Sequence, residues 1–555
     1  MFKKIMAGIK KMFVEQPVFY AQSINPSPTM FCYNDPSTPD LMEDVDLPTA
    51  ASLKTSITGF EGGGAKWGSL QAQAAQCYVS INSSLNYILK KAYKPINKWA
   101  ATPDLIVTPR AGNDLNAYYD RKGLRFFFHT DKKTKETIYT SESNEVVSHE
   151  LGHALLDAVR PEFWNYQSLE VHAFHEAFGD CVAILSTLQF NKVIDYVLTE
   201  TDGDLNKSNV VSRVGEELGT AIYKIDPNSG RESGVLRDAN NNFTYVKPEN
   251  LPTESPDNEL SSECHNFSRV WTGTWYEMMV KIYEYNCFHM DKKQALIKAR
   301  DTSANYLMYA IAHAPASVRL YTALAKQILI CDKTYGSPYG KIIEKVFTKR
   351  KIPHKEIKLL SNVNFKDLDD KILALGKTTT FTNGKTIVVE KKQEFKLIDR
   401  LGISTMSNNP LFNVEISMPM DEYYEFDENG NLIDETKVSE AEILDSAYNC
   451  LQHLHKKNLV GPNSNQPFEV RNGKLSRNHF ACDFGCNQNC RNPTAPEYGK
   501  CKKCRNNAGC GGGGCGCEAE PTTPTPRVKL GCYTTVKTGG FVSRKVGSSL
   551  SRRTC

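Results

Sequence analysis

Asn144-Glu-Val-Val-Ser-His149-Glu150-Leu-Gly-His153-Ala-Leu-Leu-Asp-Ala-Val159 is the stretch from which the fold and chemistry of this chain can be argued. Ser143 or Asn144 supplies an N-cap, Glu145 places a negative charge in the first turn, and Arg160 stops the helix before Pro161. Val146, Val147, Leu151, Leu155 and Leu156 give the helix a face to bury. His149 and His153 are four residues apart, so their imidazoles project one turn apart from one face and can share a cation. That geometry suits zinc, which takes three protein ligands at a catalytic site and leaves one position for a water whose pKa it lowers. Glu150, next to the first ligand, points where a general base has to stand. The plain alternative is a pair of histidines satisfied within a helix interface. A second suitable helix within 20 residues favours the metal.

That second helix is expected over residues 169–188, and it offers Glu170, His172, His175 and Glu176 as a third ligand. Glu176 and Asp180 lie four apart on one face among apolar neighbours, a costly placement for two carboxylates unless both have partners. Zinc would satisfy Glu176, and the second nitrogen of a ligating histidine, His149, would satisfy Asp180. His172 shares this face and stays open as an alternative ligand, whereas His175 does not share it. A third histidine in an extended HExxHxxGxxH pattern is excluded, because Val159 occupies its place.

Taken together, these residues resemble the thermolysin-like zinc metallopeptidases, which combine HExxH with a glutamate ligand on a following E-x-x-x-D helix. The Glu145-Val-Val-Ser-His-Glu-Leu-Gly-His-Ala154 run is similar to that family's acidic-VV-x-HE-x-x-HA segment. Asn116-Ala117-Tyr118-Tyr119 resembles its N-A-[FY]-[WY] edge strand, which pairs with an extended substrate peptide. Cys264-His265-Asn266-Phe267-Ser268 resembles the segment whose histidine stabilises the oxyanion, and Arg237 falls where the family keeps an arginine for a substrate carbonyl.

The resemblance covers about residues 65–350 and implies an α+β fold, with a mixed N-terminal lobe, a mainly helical second lobe and the cleft between them. It implies a zinc endopeptidase acting on peptide or protein substrates, with Glu150 activating the water and His265 assisting. Three departures stand out. No inhibitory propeptide is accommodated ahead of residue 65, so activation is expected to differ. Trp164 falls nearest the position of the family's catalytic tyrosine, with Tyr166 two residues on, and Ser186 and Thr187 stand where a calcium-binding carboxylate is expected.

Outward from this unit, the 555 residues divide into an expected arm over 1–64, catalytic lobes over 65–160 and 161–353, and a small α+β accessory domain over 354–475. A cysteine-rich segment follows over 476–520, then a linker and basic tail over 521–555. A long amphipathic helix is expected over 70–93, and strands at Leu105–Thr108 and 124–129 on either side of a turn at 120–123. The stretch 201–262 is polar, and three or four helices are expected over 266–350. In the accessory domain, strands are expected at 385–389, 395–398 and 412–416, with a helix near 439–455. Order in the arm would have to come from a partner surface, and Ile5, Ile9 and Phe13 allow a short surface helix.

No run of 18 apolar residues is present to span a bilayer as a helix, and the N-terminus lacks the apolar stretch of a secretory signal. The expectation is a cytoplasmic protein or one exported by a non-conventional route. The overall charge of +4 hides an asymmetry, since 14 Lys/Arg against four Asp/Glu fall in residues 474–555. Ten of the 17 cysteines fall in residues 482–555. Cys501-Lys-Lys-Cys504 reads as a zinc knuckle, so additional zinc is expected in 482–517, with disulfides as the alternative. Nucleic acid is disfavoured, because few aromatics interleave the basic residues. An attachment partner for the arm or tail fits the composition better. The competing class is a structural or cargo-binding protein retaining a metallopeptidase fold; retention of Glu150 argues for the enzyme. A zinc amidohydrolase is disfavoured by the peptide-binding segment at Asn116.

Overall fold

The computed structural model describes residues 29–481, apart from 33, 63–64, 67, 131–136, 226–234, 355–377, 382–385, 390–391, 402–408, 427–431, 437 and 462–465. The N-terminal residues that allow a short surface helix, the cysteine-rich segment with its expected zinc or disulfides, and the basic tail lie outside the described residues. The described architecture is mixed α+β.

The chain begins with an antiparallel pair, β1 (Thr29–Cys32) and β2 (Glu43–Asp46), followed by β3 (Thr55–Ile57) and the helix α1 (Leu70–Leu89), capped by Ser69. Next come β4 (Leu105–Thr108), β5 (Ala117–Tyr119) and β6 (Gly123–Phe126). Leu105 and Val107 point into the core while Ile106 is exposed, the alternation a half-buried strand requires. β3, β4 and β6 pair in parallel, and β5 pairs antiparallel with β6. The turn between them closes on Asp120, whose Oδ1 accepts the N–H groups of Lys122 and Gly123. Residues 124–129 do not form one strand. The Phe127 N–H bonds Asn116 O and Thr140 Oγ1, which separates β6 from β7 (Phe128–Thr130), and β7 pairs with β8 (Thr137–Tyr139).

The central helices follow, α2 (Asn144–Val159) and α3 (Leu169–Thr187). Ser143 Oγ accepts the Val146 N–H at the head of α2. Both helices are buried nearly all round, so neither shows a solvent stripe. α4 (Asn191–Glu200) leads into the polar stretch, which contains β9 (Arg213–Val214), α5 (Glu216–Ile225) and β10 (Arg237–Asp238), with β9 and β10 antiparallel. Then come α6 (Cys264–Cys287), α7 (Lys292–His313), α8 (Leu320–Thr334) and α9 (Gly340–Lys349). Among the described residues, no single helix is long and apolar enough to cross a membrane.

The last part holds two four-stranded sheets and a helix. β11 (Thr378–Phe381), β12 (Thr386–Val389), β13 (Lys392–Lys396), the short α10 (Leu397–Leu401), β14 (Glu415–Pro419), β15 (Glu422–Phe426) and β16 (Leu432–Thr436) precede α11 (Glu440–Lys456). β17 (Phe468–Arg471), β18 (Lys474–Arg477) and β19 (Phe480–Ala481) complete the described chain. The sheet orders are β11-β12-β15-β16 and β13-β14-β18-β17. The strand expected at 395–398 turns helical at Leu397, and the one expected at 412–416 starts later, because Pro410–Asn413 winds as a 3-10 turn capped by Asn409.

This part has its own core, including Phe412, Ile416, Met418, Leu451 and Phe468, and docks on the helices through backbone pairing. The Gln167 N–H donates to Ser417 O at 2.9 Å, and Ala316 and Asp421 bond reciprocally at 2.8 Å. β19 leaves it altogether and pairs with β5, making the sheet order β19-β5-β6-β4-β3.

Two expected boundaries are corrected. Residues 29–57 are not an arm awaiting a partner surface: β3 is in the sheet, and Asn34 and Asp35 are fully buried against the head of α2. Asn34 Nδ2 donates to Glu145 Oε1 at 2.6 Å, and Ser143 Oγ donates to Asp35 Oδ2 at 2.9 Å, so polar residues that look solvated in sequence satisfy buried groups. At the other end, the segment expected to begin at 476 starts inside the fold, with Arg477, His479 and Phe480 all buried.

Candidate metal centre

α2 and α3 cross at a pair of glycines. A Cβ on Gly152 would stand 2.8 Å from the Gly179 Cα, so the two backbones meet with no side chain between them. The approach brings His149 and His153 on α2 against Glu176 on α3, and the three ligand atoms lie within 4.8 Å of one another. His149 Nε2 is 3.4 Å from Glu176 Oε2, and His153 Nε2 is 3.8 Å from Glu176 Oε1. A tetrahedral site with bonds near 2.1 Å has ligand-to-ligand edges of roughly 3.4 Å, so the spacing fits an ion the size of zinc.

The side chains fit such an ion in a second respect. All three residues are at most 1% exposed, yet His149 Nε2, His153 Nε2 and Glu176 Oε2 make no hydrogen bond. Buried polar atoms without partners are costly, and three converging ones call for a common cation. Burial raises the Glu176 carboxyl, but the charges of His265 and His149 outweigh it and hold the group below its ordinary range. Two imidazoles and one carboxylate are a donor set that can hold a divalent metal ion.

Asp180, one turn beyond Glu176, places Oδ1 3.0 Å from His149 Nδ1, which fixes the ring with Nε2 towards Glu176. Arg237 on β10 donates to Asp180 from Nε and Nη2, at 2.7 Å for the shortest bond, and Thr272 Oγ1 donates to the same carboxylate at 3.3 Å. Burial opposes charge on His149, but the neighbouring carboxylates of Asp180 and Glu176 raise it to about 9. His153 is instead held well below its ordinary value by burial and by the charge of His149. Arg237, expected at a substrate carbonyl, is thus committed on one edge to the residue that orients a ligand.

His265 opens α6 and reaches the same place from a third direction, with Nε2 3.4 Å from Glu176 Oε2 and Nδ1 2.7 Å from Glu263 Oε1. Burial opposes its charge, but Glu176, Cys264 and Glu263 raise it well above the ordinary histidine range. Glu263 also caps α6, its Oε2 accepting the Asn266 N–H at 2.7 Å. Glu150, fully buried, follows His149 directly on α2. Asn116 accepts the Ala117 N–H on its own Oδ1, and Ala117 opens β5.

The alternative ligand His172 points elsewhere: Nε2 bonds the Tyr166 carbonyl at 2.7 Å and the ring packs on Phe468. Glu170 accepts from Tyr245 and from the Tyr321 N–H, away from the three ligands. His175 faces Phe480, ring on ring at 4.0 Å. Trp164 donates from its indole N–H to the Arg477 carbonyl, and Tyr166 bridges to Ser417.

Three participants escape a reading of the sequence. Glu263 carried a signal, being an acidic residue two positions before His265. Gly179 carried one too, as a glycine in an apolar helix interior. Phe480 carried none, since more than 300 residues separate it from the histidine it covers. No family model matches the chain, and no curated protein matches it.

Proposed function

We propose that this chain is a zinc-dependent endopeptidase resembling the thermolysin-like enzymes, with a mixed N-terminal lobe and a helical lobe meeting at the metal centre. The observation that carries the proposal is the convergence of His149, His153 and Glu176, buried and without hydrogen bonds on the converging atoms, one residue from the carboxylate of Glu150.

His149, His153 and Glu176 would hold the ion. Zinc bound there supplies Lewis acidity, polarising the scissile carbonyl and lowering the pKa of an attacking water. Glu150 takes the proton from that water and returns it to the leaving amine. His265, oriented through Nδ1 by Glu263, presents Nε2 to the oxyanion of the tetrahedral intermediate. Arg237 binds a substrate carbonyl while its bonds to Asp180 keep His149 in place. An extended substrate adds along β5 at Asn116 and Ala117, on the side where β19 lies.

The test compares wild type with Glu150→Gln for zinc content and for cleavage of a denatured protein. The proposal expects equal zinc and a rate at least about 100-fold lower in the variant, the scale of a positioned acid–base group. Equal rates in the two proteins would refute it. Equal zinc with no cleavage by either would point to a cargo or structural protein on the same fold.

A further inference from the structure

We propose that the segment that follows β18, ending in β19 (Phe480–Ala481), is an internal occupant of the peptide-binding edge, holding the metal centre closed until it withdraws. This rests on the peptidase reading and names what restrains that activity.

The backbone makes the first case. Without β19, β5 would be the edge strand of its sheet. Phe480 pairs with Tyr119 and Ala481 with Tyr118, antiparallel, on the strand where an extended substrate is expected to add. An exposed edge offers one set of N–H and C=O groups, so the two strands compete for it.

The side chains make the second. The Phe480 ring stacks on His175 at 4.0 Å and on the ligand His153 at 4.9 Å, while Trp164 meets it edge-on at 5.4 Å. Phe480 is 2% exposed, and it covers the flank of a ligand that a substrate side chain would have to approach. His149, Glu150, His153 and Glu176 are closed off to the same degree, none exceeding 1%.

The Arg477 guanidinium is buried over the rings of Phe480, at 3.8 Å, and Phe468, at 4.2 Å. Among the described residues its Nε and Nη2 make no hydrogen bond and no carboxylate pairs with it, Nη1 alone donating to the His479 carbonyl at 3.5 Å. Two ring faces return part of the lost hydration of a cation, not all of it. Withdrawal of Phe480 opens one face of the guanidinium to water, so the closed arrangement carries a built-in bias towards opening. Asn478, tied to the Pro467 and Gln466 carbonyls, anchors the start of the segment to the chain just ahead of β17.

The experiment uses the full-length, zinc-loaded chain and a fluorogenic apolar peptide. Phe480→Ala removes the ring that seats the segment, and Arg477→Met removes the desolvated charge while keeping its bulk. If the segment is closed 90–99% of the time, opening it raises kcat/KM by about 10- to 100-fold. The expected result is that gain in Phe480→Ala and a loss in Arg477→Met, with both variants folded by circular dichroism and equal in zinc. A synthetic Arg-Asn-His-Phe-Ala peptide should inhibit Phe480→Ala competitively and bind wild type far more weakly. Hydrogen exchange on wild type gives a readout independent of the variants' folding. The Phe480 and Ala481 amides should exchange by local opening, well ahead of β6. Exchange of these amides only on global unfolding, or no gain in a folded, zinc-replete Phe480→Ala, overturns the proposal. Absence of hydrolysis in every protein, with local exchange and peptide binding as expected, would refute the peptidase reading and leave the internal occupant standing.

Discussion

A Cβ on Gly179 would stand 2.7 Å from Cε1 and Nδ1 of His149, so the α3 backbone lies directly against the imidazole it helps to place. Gly179→Ala must therefore displace the ring or push the helices apart. The expected outcome is zinc affinity lower by about 10- to 100-fold and a stability loss of about 1–3 kcal/mol. Competition with a chelator and thermal denaturation measure the two, and unchanged affinity would mean that ring placement does not depend on this contact.

Asp180 is held by both His149 and Arg237, so its removal should have two separable effects. Asp180→Asn weakens zinc binding by about 10- to 100-fold through loss of ring orientation. It also leaves the buried Arg237 without its counter-charge, at about 3–5 kcal/mol. Adding Arg237→Met to Asp180→Asn should recover much of the stability and none of the zinc affinity. Recovery of both would assign Asp180 to Arg237 alone.

His265→Ala should leave zinc content unchanged and lower kcat by about 100- to 1,000-fold, the scale of an oxyanion donor. Glu263→Gln should lose less, because the orienting contact at 2.7 Å is weakened rather than removed. Loss of zinc in His265→Ala would reassign the residue from the oxyanion to the ion.

Glu142 supplies a pH test away from the centre. Burial raises its carboxyl to about 7, against the opposing effects of Gln73 and Arg110. Between the unfolded value near 4.3 and about 7, the folded chain keeps a proton that the unfolded chain has released, so this group's contribution to stability falls as pH rises. Glu142→Gln should remove that slope, gaining up to about 3 kcal/mol relative to wild type between pH 5 and 8. Parallel stability–pH curves for the two proteins would contradict the assignment.

What could be read in the sequence followed from local rules. The His149–His153 spacing, the cap at Ser143 and the paired carboxylates Glu176 and Asp180 each express a constraint within one helix, where 3.6-residue periodicity projects onto space. Long-range contacts had no such projection. Asn34 and Asp35 look like solvated loop residues until their partners, Glu145 and Ser143, are known. β19 is too short to show a period, and its meaning comes from β5, on the far side of the chain. The strand expected at 395–398 ends early, at Lys396, for the complementary reason, since propensity over four residues does not decide between a strand and the turn of helix at Leu397.

Anomalous diffraction at the zinc edge, from crystals of the full-length protein, locates the ion without reference to activity. A peak about 2.0–2.2 Å from His149 Nε2, His153 Nε2 and a Glu176 oxygen is the expected result. Zinc-replete crystals with no peak between α2 and α3, or with Glu176 turned away from both histidines, would contradict the metal centre and the chemistry built on it.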